Sequence, residues 1–401
     1  MRKNLKWHLQ NLIVNPQLIL FYSRHATRYI INRKISNIDF QFSKISELDQ
    51  WYEKNLFSGV KRSEEIDSID WIIPDFSEFS GGHKTISRLC LGLEKVGVKS
   101  NFVLTNSTTK EDFRFQKNLI KKKFGLSNFT VNSIRSISHA SKMSIATSWE
   151  SAVIQSNYPS PQKMYFIQDL ESLFYPASSE SAVALWTYSL PTQKIVLGNW
   201  LANQMEILGS KAELILPFGV SKISASNLEH KRSDQKVIVV YCQPSKERRG
   251  TPLLLEVLRR ASKELSDYKV IVVGESFHQK PNFGDNIEFL GSVSESEMLK
   301  LFKPGRIGLV ISHSNPSLVP FEMLNHGMFV CTNSEWSNNF DLIFEGVEFF
   351  APLPSETLNS LRRAIEKANI SDKERIGNLN HLDWNEISKK FSDFVIGKLR
   401  N

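Results

Sequence analysis

The amino-acid sequence predicts an α/β fold with two parallel-sheet domains in tandem, and three observations support this prediction. Apolar segments of strand length alternate with segments of helical periodicity from residue 66 onward. Polar or glycine-bearing turns follow several of these strands, as they do in βαβ units. A polar stretch over 221–235 interrupts the alternation and predicts a linker, while 401 residues with 41% apolar composition supply side chains for two cores.

The alternation places the elements in order. In the first half we expect strands at 71–74, 100–104, 143–147, 163–167 and 194–197, with helices at 84–95, 112–123, 150–155, after Ser178 and at 200–208. In the second half we expect strands at 236–241, 268–273, 286–290, 307–311, 329–333 and 347–350, with helices at 251–266, 295–302, 318–326 and 355–368. The predicted segments are a basic helical extension (1–65), a first domain (66–220), a second domain (235–380) and a last segment (381–401) whose amphipathic helix has no strand after it.

The three cysteines, Cys90, Cys242 and Cys331, each fall inside an apolar or strand-like segment. None lies in a C-x-x-C pair or beside a histidine at metal-ligand spacing. We therefore expect buried thiols, no metal site and a reducing, cytoplasmic location.

The amino terminus is basic, because seven cations precede the first acid, Asp39, in a chain of net charge +8. Its apolar run over 12–22 is interrupted by Pro16 and is shorter than the ~20 residues that a spanning helix needs. No small-residue cleavage site follows the run, so we expect no signal peptide and no membrane span. Two interpretations stay open, a helical hairpin with a solvated basic face and peripheral contact with the cytoplasmic face of the inner membrane.

A second basic cluster lies over 117–123 in a predicted helix. It fits a solvated face or a membrane face better than a nucleic-acid site, because no recognised nucleic-acid module accompanies it. We expect no nucleic-acid partner.

The segment 312–327 is the most informative one for function. Its turn, with Ser314, Asn315, Ser317 and Leu318, lies at the carboxyl end of a predicted strand, where α/β sheets bind ligands. Backbone amides at the start of the next helix favour an anion, and the Glu322 carboxylate can accept hydrogen bonds from ribose hydroxyls. This unit predicts a site for a nucleotide diphosphate.

Two further turns could approach phosphates or sugars. The turn 80–85 brings Gly82 close to a ligand, with His83 and Lys84 as polar arms, although such a turn is more often only a turn. The turn 241–250 places Arg248 and Arg249 just before a helix, where their guanidinium groups can neutralise a diphosphate, or can simply be solvated.

The strand at 163–167 also ends in polar residues. Asp169 and Glu171 can act as a base or bind hydroxyl groups, or else cap a helix or lie on the surface. Tyr175 is a candidate for the acceptor side of the site, although an aromatic residue before a proline often serves packing.

Taken together, these segments resemble a known family. The Gly-Gly turn at 81–82, the Arg-Gly turn at 249–250, the segment 287–293 and Pro316-Ser317-Leu318-Val319-Pro320-Phe321-Glu322-Met323-Leu324 are similar to GT-B glycosyltransferases of family 4, which have two Rossmann-like domains and a cleft between them. The segments 82–86, 166–171 and 315–318 are most similar to bacterial rhamnosyltransferases that elongate surface polysaccharides from dTDP-rhamnose. The resemblance covers about 66–400.

The resemblance implies roles for particular residues. The family's diphosphate-binding basic pair falls on Gln243 and Arg249, so an amide replaces one cation and Arg248 is placed to compensate. Its Glu-x7-Glu pair falls on Ser314 and Glu322, so the first carboxylate is lost. Its sugar-facing histidine falls on Gln168.

The resemblance also implies that backbone groups of Gly291 to Val293 hold the base and that the last helix crosses back to the first domain. His83, Lys84 and Asp169 would then line the sugar and the acceptor side. We assign His83, Asp169 and Arg249 to catalysis, and Gln168, Glu171 and Tyr175 to the acceptor side. The remaining predicted donor-binding residues are Gly82, Lys84, Gln243, Arg248, Gly291, Val293, Ser314, Asn315, Ser317, Leu318 and Glu322.

The resulting hypothesis is a metal-independent, retaining transfer of a sugar from a nucleotide-diphosphate donor to a glycan or lipid-linked glycan, with no resident cofactor. The donor we expect is dTDP-rhamnose. The alternatives are a GT-B module that binds glycan or nucleotide without catalysis and, with less support, an epimerase or a phosphorylase.

Overall fold

The computed structural model describes residues 37–401 except 55, 64, 79, 108, 224–235, 336–337, 369–378, 380–381 and 401. The chain divides into two compact units, Met1–Leu56 and Phe57–Asn401. In the first unit the structure describes helix α1 (Asn37–Glu53). The predicted basic segment before Asp39 therefore lies almost wholly outside the described residues, and its membrane contact stays a prediction.

The first half of the second unit contains nine strands among the described residues: β1 (Lys61–Arg62), β2 (Ser68–Ile73), β3 (Lys99–Leu104), β4 (Phe129–Ser133), β5 (His139–Ala140), β6 (Met143–Ala146), β7 (Gln162–Ile167), β8 (Gln193–Leu197) and β9 (Ala212–Leu216). Seven of them form a parallel sheet in the order β4-β3-β2-β6-β7-β8-β9. The other two, β1 and β5, form a small parallel pair. The helices between them are α2 (Gly81–Lys95), α3 (Lys110–Phe124), α4 (Trp149–Gln155), α5 (Ser179–Thr187) and α6 (Asn199–Ile207).

A second parallel sheet follows in the order β12-β11-β10-β13-β14-β15. Its strands are β10 (Val237–Cys242), β11 (Lys269–Gly274), β12 (Ile287–Gly291), β13 (Gly305–Val310), β14 (Phe329–Asn333) and β15 (Val347–Phe350). Its helices are α7 (Thr251–Ala261), α8 (Glu295–Phe302), α9 (Val319–Asn325), α10 (Asn338–Asp341), α11 (Pro354–Ala368) and α12 (Trp384–Arg400). The central strands of both sheets are buried on both faces and are therefore rich in apolar residues, although β2 also buries Asp70.

The last helix, α12, packs against α2 of the first half. A Cβ added at Gly92 of α2 would lie 2.7 Å from Ser388 Cβ of α12, so the glycine permits close approach of the two helices. The α12 carbonyl oxygens of Lys398 and Leu399 accept hydrogen bonds from Gln162 Nε2 (2.8 Å) and Lys142 Nζ (2.7 Å). Helix α12 is thus held against the first half by helix packing and by these two hydrogen bonds.

The structure departs from the sequence-based elements in a few places. The edge strands β4 and β9 were not predicted, because the sequence of β4 (FTVNS) is half polar and β9 exposes alternate residues. Helix α7 ends at Ala261 rather than at 266. Most of the predicted linker lies outside the described residues. No helix among those described is long and apolar enough to span a membrane.

The cysteine prediction is confirmed for burial. Cys90, Cys242 and Cys331 are free and buried. Burial raises the pKa of each thiol to about 12, which makes all three poor nucleophiles.

Candidate functional site

The site is built on the loop after β13, which follows residue 311 at the carboxyl end of the second sheet. Asn333, the last residue of β14, holds this loop: its Oδ1 accepts from Ser312 N (2.8 Å) and its Nδ2 donates to Ser312 O (2.7 Å). Asn338 in turn donates to Asn333 O (2.8 Å) and Oδ1 (3.0 Å). Two buried amides therefore set the loop's starting direction.

Ser317 takes the left-handed backbone conformation, with φ of 64°. Its N–H donates to Asn315 Oδ1 (3.1 Å), which closes a tight turn. Its Oγ is buried and has no hydrogen-bond partner among the described residues. A strained non-glycine residue with an unsatisfied hydroxyl is typical of a binding loop.

Arg249 lies under this loop at 6% exposure. Its Nη1 donates to Ser312 Oγ (2.6 Å) and to Asn315 O (3.1 Å), whereas its Nε has no hydrogen-bond partner in the described part of the chain. Gly250 follows with φ of 57°, and a Cβ there would lie 2.4 Å from Ile311 Cγ2. The Arg-Gly turn is therefore required for Arg249 to reach the loop.

Arg248 bridges the two halves. Its guanidinium carbon lies 3.9 Å from the centre of the Phe174 ring, and its Nε lies 3.7 Å from Asp169 Oδ2. Burial, followed by the neighbouring Arg249, lowers the pKa of Arg248 to about 10, so the side chain is still a cation at neutral pH. No described residue forms a hydrogen bond with its buried Nε either.

Asp169 reaches from the end of β7 to the second half. Its Oδ2 accepts from Ser314 Oγ (3.0 Å), and its Oδ1 accepts from Asn315 N (3.0 Å) and Leu170 N (2.9 Å). Asn315 Nδ2 also donates to Gln168 O. A carboxylate from the first half thus lies beside Ser314, the position at which the resemblance implied a lost carboxylate.

Glu322 lies one turn into α9 and is 5% exposed. Its Oε1 accepts from Ser221 N (3.0 Å) and Ser221 Oγ (2.8 Å), while Oε2 is buried and receives no hydrogen bond from the residues that the structure describes. Burial raises the pKa of Glu322, and the bond from the Ser221 hydroxyl opposes that rise. Oε1 is thus occupied by hydrogen bonds from the protein, whereas Oε2 can still accept a hydrogen bond from a ligand.

The helix that contains Glu322 is shorter than expected. It has seven residues, 319–325, and Pro320 near its start has no N–H. The predicted anion site on its first amides is therefore reduced, because a short helix has a weak dipole and one donor is missing. Leu318 occupies its N-cap position without a side-chain bond.

Gly82, His83 and Lys84 begin α2 on the opposite side. A Cβ added to Gly82 would meet Gln168 Nε2 at 3.2 Å, so the glycine leaves room for that amide. His83 Nδ1 accepts from Ser77 N (2.9 Å), and burial lowers the pKa of His83 to about 4. The neutral ring therefore carries its proton on Nε2 and can donate there.

Lys84 lies 3.5 Å from Glu295 Oε2, across the junction between the halves. Arg88, one turn further along α2, donates to Glu295 Oε1 (2.6 Å) and stacks over Trp384 with 4.7 Å to the ring centre. Both cations border a cavity of about 520 Å³ that Val293 also lines. This cavity opens between α2, α3 and α8.

Glu171 and Tyr175 face inward. Glu171 Oε2 accepts from Trp149 N (2.6 Å) and Tyr165 OH (2.8 Å), and burial raises the pKa of Glu171 to about 8. Tyr175 OH accepts from Trp149 Nε1 (3.2 Å). These contacts hold both residues against α4, and their assignment to the acceptor side stays a prediction.

Two further donor-side predictions concern Gly291 and the side chain of Gln243. Gly291 has φ of 76°, and a Cβ there would lie 2.6 Å from Ser276 Oγ. The Gln243 N–H donates to Thr251 Oγ1 (3.1 Å), and the Gln243 side chain is partly exposed.

Sequence reasoning missed Ser221, Ser312 and Phe174, which contact Glu322, Arg249 and Arg248. No local pattern distinguished them, because each acts through a partner distant in the sequence. The only available signal was their position at predicted strand ends or next to a linker.

The comparisons with known proteins agree with this architecture. Residues 236–362 match the family model described as WsaF, C-terminal domain. The chain is 24% identical over 322 residues to the O-antigen biosynthesis protein RfbC of Myxococcus xanthus, and this match covers 77% of the chain and 25% of that protein. The chain thus spans about a quarter of the length of this curated relative.

Three solved structures are similar in fold. The S. aureus MnaA–UDP co-structure has a TM-score of 0.58 at 13% identity, covering 83% of this chain and 97% of that one. The UDP-GlcNAc 2-epimerase from Neisseria meningitidis bound to UDP-GlcNAc scores 0.56 at 13% identity, covering 83% and 100%. The putative UDP-N-acetylglucosamine 2-epimerase from Listeria monocytogenes scores 0.55 at 11%, covering 80% and 94%. With the two parallel sheets, these likenesses confirm the predicted GT-B fold, and at such identity they show the fold alone.

Proposed function

We propose that this protein is a glycosyltransferase that moves a sugar from a nucleotide-diphosphate donor to a growing surface polysaccharide, an O-antigen or a related glycan. The donor we favour is dTDP-rhamnose. One observation carries the proposal: within the part of the chain that the structure describes, buried polar atoms of Arg248, Arg249, Ser317 and Glu322 lack hydrogen-bond partners. Each of the four lies beside the junction of the halves, through contacts with Asp169, Asn315 or Ser221. Buried polar groups normally have partners, so this arrangement fits a bound anion and its pentose.

The charge pattern supports a diphosphate. Arg249 and Arg248 are adjacent cations with partly free guanidinium groups, and guanidinium forks match phosphate oxygens. Ser317 Oγ can donate to the same anion, Gln243 lies beside it, and Glu322 Oε2 can accept from a pentose hydroxyl. Gly291 and Val293 would hold the base, next to the cavity that Val293 lines.

The residues of the first half would face the transferred sugar. The Asp169 carboxylate lies beside Ser314 and would orient a sugar hydroxyl in place of the carboxylate that Ser314 lacks. His83 is neutral and would donate from Nε2, while Lys84 adds a positive charge nearby. Gln168 would complete this side.

The relatives support the biological setting. The family-model match falls on the half that we assign to the donor. The Myxococcus xanthus relative is an O-antigen biosynthesis protein, and two of the similar structures contain UDP or UDP-GlcNAc. A glycan or lipid-linked glycan at the cytoplasmic face of the inner membrane is the acceptor we propose.

The proposed reaction needs no resident cofactor or metal. The bond between the anomeric carbon and the diphosphate oxygen breaks as the acceptor oxygen bonds to the same face of that carbon, and the acceptor proton passes to the departing phosphate. Arg248 and Arg249 stabilise the charge that develops on the diphosphate. Retention of the anomeric configuration, read by NMR of the product, tests this stereochemistry.

The first experiment is a thermal-shift screen with thymidine, uridine, guanosine and adenosine diphosphates and their sugars. A ligand at a hundred times its dissociation constant adds ~2.7 kcal/mol to stability. We expect the largest shift with dTDP compounds, lost in Glu322→Ala, followed by sugar transfer to a glycan acceptor. Binding without turnover on any acceptor would instead indicate a GT-B binding module, and conversion of the donor without an acceptor would indicate an epimerase.

A further inference from the structure

Ser221 occupies one oxygen of the Glu322 carboxylate with two hydrogen bonds. Its backbone N–H (3.0 Å) and its hydroxyl (2.8 Å) both donate to Oε1. Each carboxylate oxygen has about two lone-pair positions, so Oε1 has none left for a ligand. Oε2 is buried and has no hydrogen-bond partner among the residues described, so it is the oxygen that remains for a ligand.

Ser221 cannot readily move aside. Its carbonyl oxygen accepts from Asn325 Nδ2 (2.7 Å), one turn beyond Glu322 on the same helix. The preceding residue, Val220, donates from its N–H to Leu382 O (2.8 Å) and forms a bridge with Asp383. Gly219 lies under the Trp384 indole, where an added Cβ would be 2.4 Å from the ring. The backbone is therefore held on both sides of the hydrogen bonds to Glu322.

This arrangement has a consequence for the pentose. The two adjacent hydroxyls of a ribose pair with a carboxylate when each meets its own oxygen, whereas a 2′-deoxyribose has one hydroxyl there and needs one oxygen. With Oε1 occupied, both hydroxyls of a ribose would have to share Oε2, whereas the single hydroxyl of a deoxyribose has that oxygen to itself. The second ribose hydroxyl is then desolvated for a poorly aligned hydrogen bond, which weakens binding.

We propose that Ser221 is a specificity-determining residue that makes Glu322 select a deoxyribonucleoside diphosphate over its ribonucleoside counterpart. This inference rests on the proposed function, because it assumes that Glu322 meets the pentose of a nucleotide donor. Ser221 lies outside the binding loops, and its hydrogen bonds to Glu322 would explain a preference for deoxyribose over ribose in the donor nucleotide.

The test compares dUDP with UDP, which differ only in the 2′-hydroxyl, by calorimetric titration of the full chain. We expect the unmodified protein to bind dUDP about tenfold more tightly than UDP. In Ser221→Ala the backbone N–H still donates to Oε1 but one acceptor position opens, so the preference falls to about two- to threefold. Ser221→Thr keeps a hydroxyl and should keep the preference.

Ser262→Ala, at the end of α7 on the opposite edge of the second sheet, is the matched control and should leave the ratio unchanged. Equal binding of the two nucleotides, or tighter binding of UDP, by the unmodified protein overturns the inference. So does a Ser221→Ala variant that weakens both nucleotides by the same factor, which would indicate a structural role only. Absence of binding by either nucleotide would instead count against the proposed function itself.

Discussion

Arg249 is almost completely buried, yet its Nε has no hydrogen-bond partner among the described residues. A guanidinium group rarely shows both properties together. Burial of an unpaired charge is unfavourable, so such a residue is retained where a ligand completes its contacts. The same side chain supports the loop through Ser312 and Asn315. Its effects on catalysis and on stability can be separated by measurement.

Arg249→Ala should lower kcat/KM for sugar transfer by about 10²- to 10³-fold, because a cation aimed at the developing diphosphate charge is lost. The free energy of unfolding, from urea titration, should fall by about 1–3 kcal/mol as Ser312 Oγ loses its donor. Arg259→Ala, on the exposed face of α7, is the control and should change neither quantity. Full activity in Arg249→Ala would remove this residue from the diphosphate site.

His83 predicts a specific pH dependence of stability. Burial lowers its pKa from 6.5 to about 4, so between these values the unfolded chain binds more protons than the folded one. The contribution of His83 to stability is complete above pH 6.5 and is lost as pH falls toward 4.

His83→Gln should therefore lose less stability than the unmodified protein between pH 7 and pH 4.5, by about 2 kcal/mol, in paired urea titrations. The comparison cancels the contributions of the buried carboxyl groups that both proteins share. His139→Gln, in the small β1–β5 pair, provides the control for loss of an exposed imidazole. Parallel curves for His83→Gln and the unmodified protein would show that His83 is not buried as described.

At the scale of elements, the contact between α2 and α12 depends on Gly92. The close approach brings Ser388 and Ser392 of α12 against its backbone, so any side chain must push the helices apart. Because α2 also carries His83, Lys84 and Arg88, a shift of this helix would move the first half of the site.

Gly92→Ala should reduce the free energy of unfolding by about 1–3 kcal/mol, since overlap with the Ser388 backbone exceeds the gain in helix propensity. Gly397→Ala lies in α12 itself, where an added Cβ meets nothing within 4 Å, and should raise stability by about 0.5–1 kcal/mol. Thermal and urea unfolding of the two variants give this comparison directly. Equal effects of the two substitutions would contradict the close packing of α2 on α12.

At the scale of the molecule, several contacts join the two halves beside the cleft. Asp341 of α10 accepts from Asn199 N (2.7 Å) and Trp200 N (3.2 Å), and so caps α6 of the other half. The residue before α6, Gly198, has no side chain with which to cap it. Because the capping residue belongs to the other half, the start of α6 is stabilised in this way only when the two halves are in contact.

Asp341→Ala should lower stability by about 1 kcal/mol and reduce kcat several-fold, because the halves align less well for transfer. The dissociation constant of the nucleotide should stay unchanged, since the residues that we assign to the donor remain in place. Asp267→Ala, whose side chain is 78% exposed, is the matched control. A weakened nucleotide affinity with unchanged kcat would contradict this assignment.

Local patterns determined much of this protein. Alternating apolar runs and helical periodicity located β13, α8, β14 and β15, and the turns at strand ends pointed to Arg248, Arg249 and Glu322, because both signals depend on neighbouring residues. These patterns did not predict the exact length of α9 or the edge strands β4 and β9. Packing decides where a short helix ends and whether a half-polar segment pairs with a neighbouring strand.

Only the tertiary structure decided which polar groups meet. Asp169 bonds to Ser314 across 145 residues of chain, Ser221 to Glu322 across 101, and Asp341 to Asn199 across 142. Glu171 and Tyr175 follow the same strand as Asp169, but they form hydrogen bonds with Trp149 of α4 instead. A hydrogen bond forms according to distance and burial in the folded chain, and no periodicity in the sequence encodes the meeting of two separate strand ends.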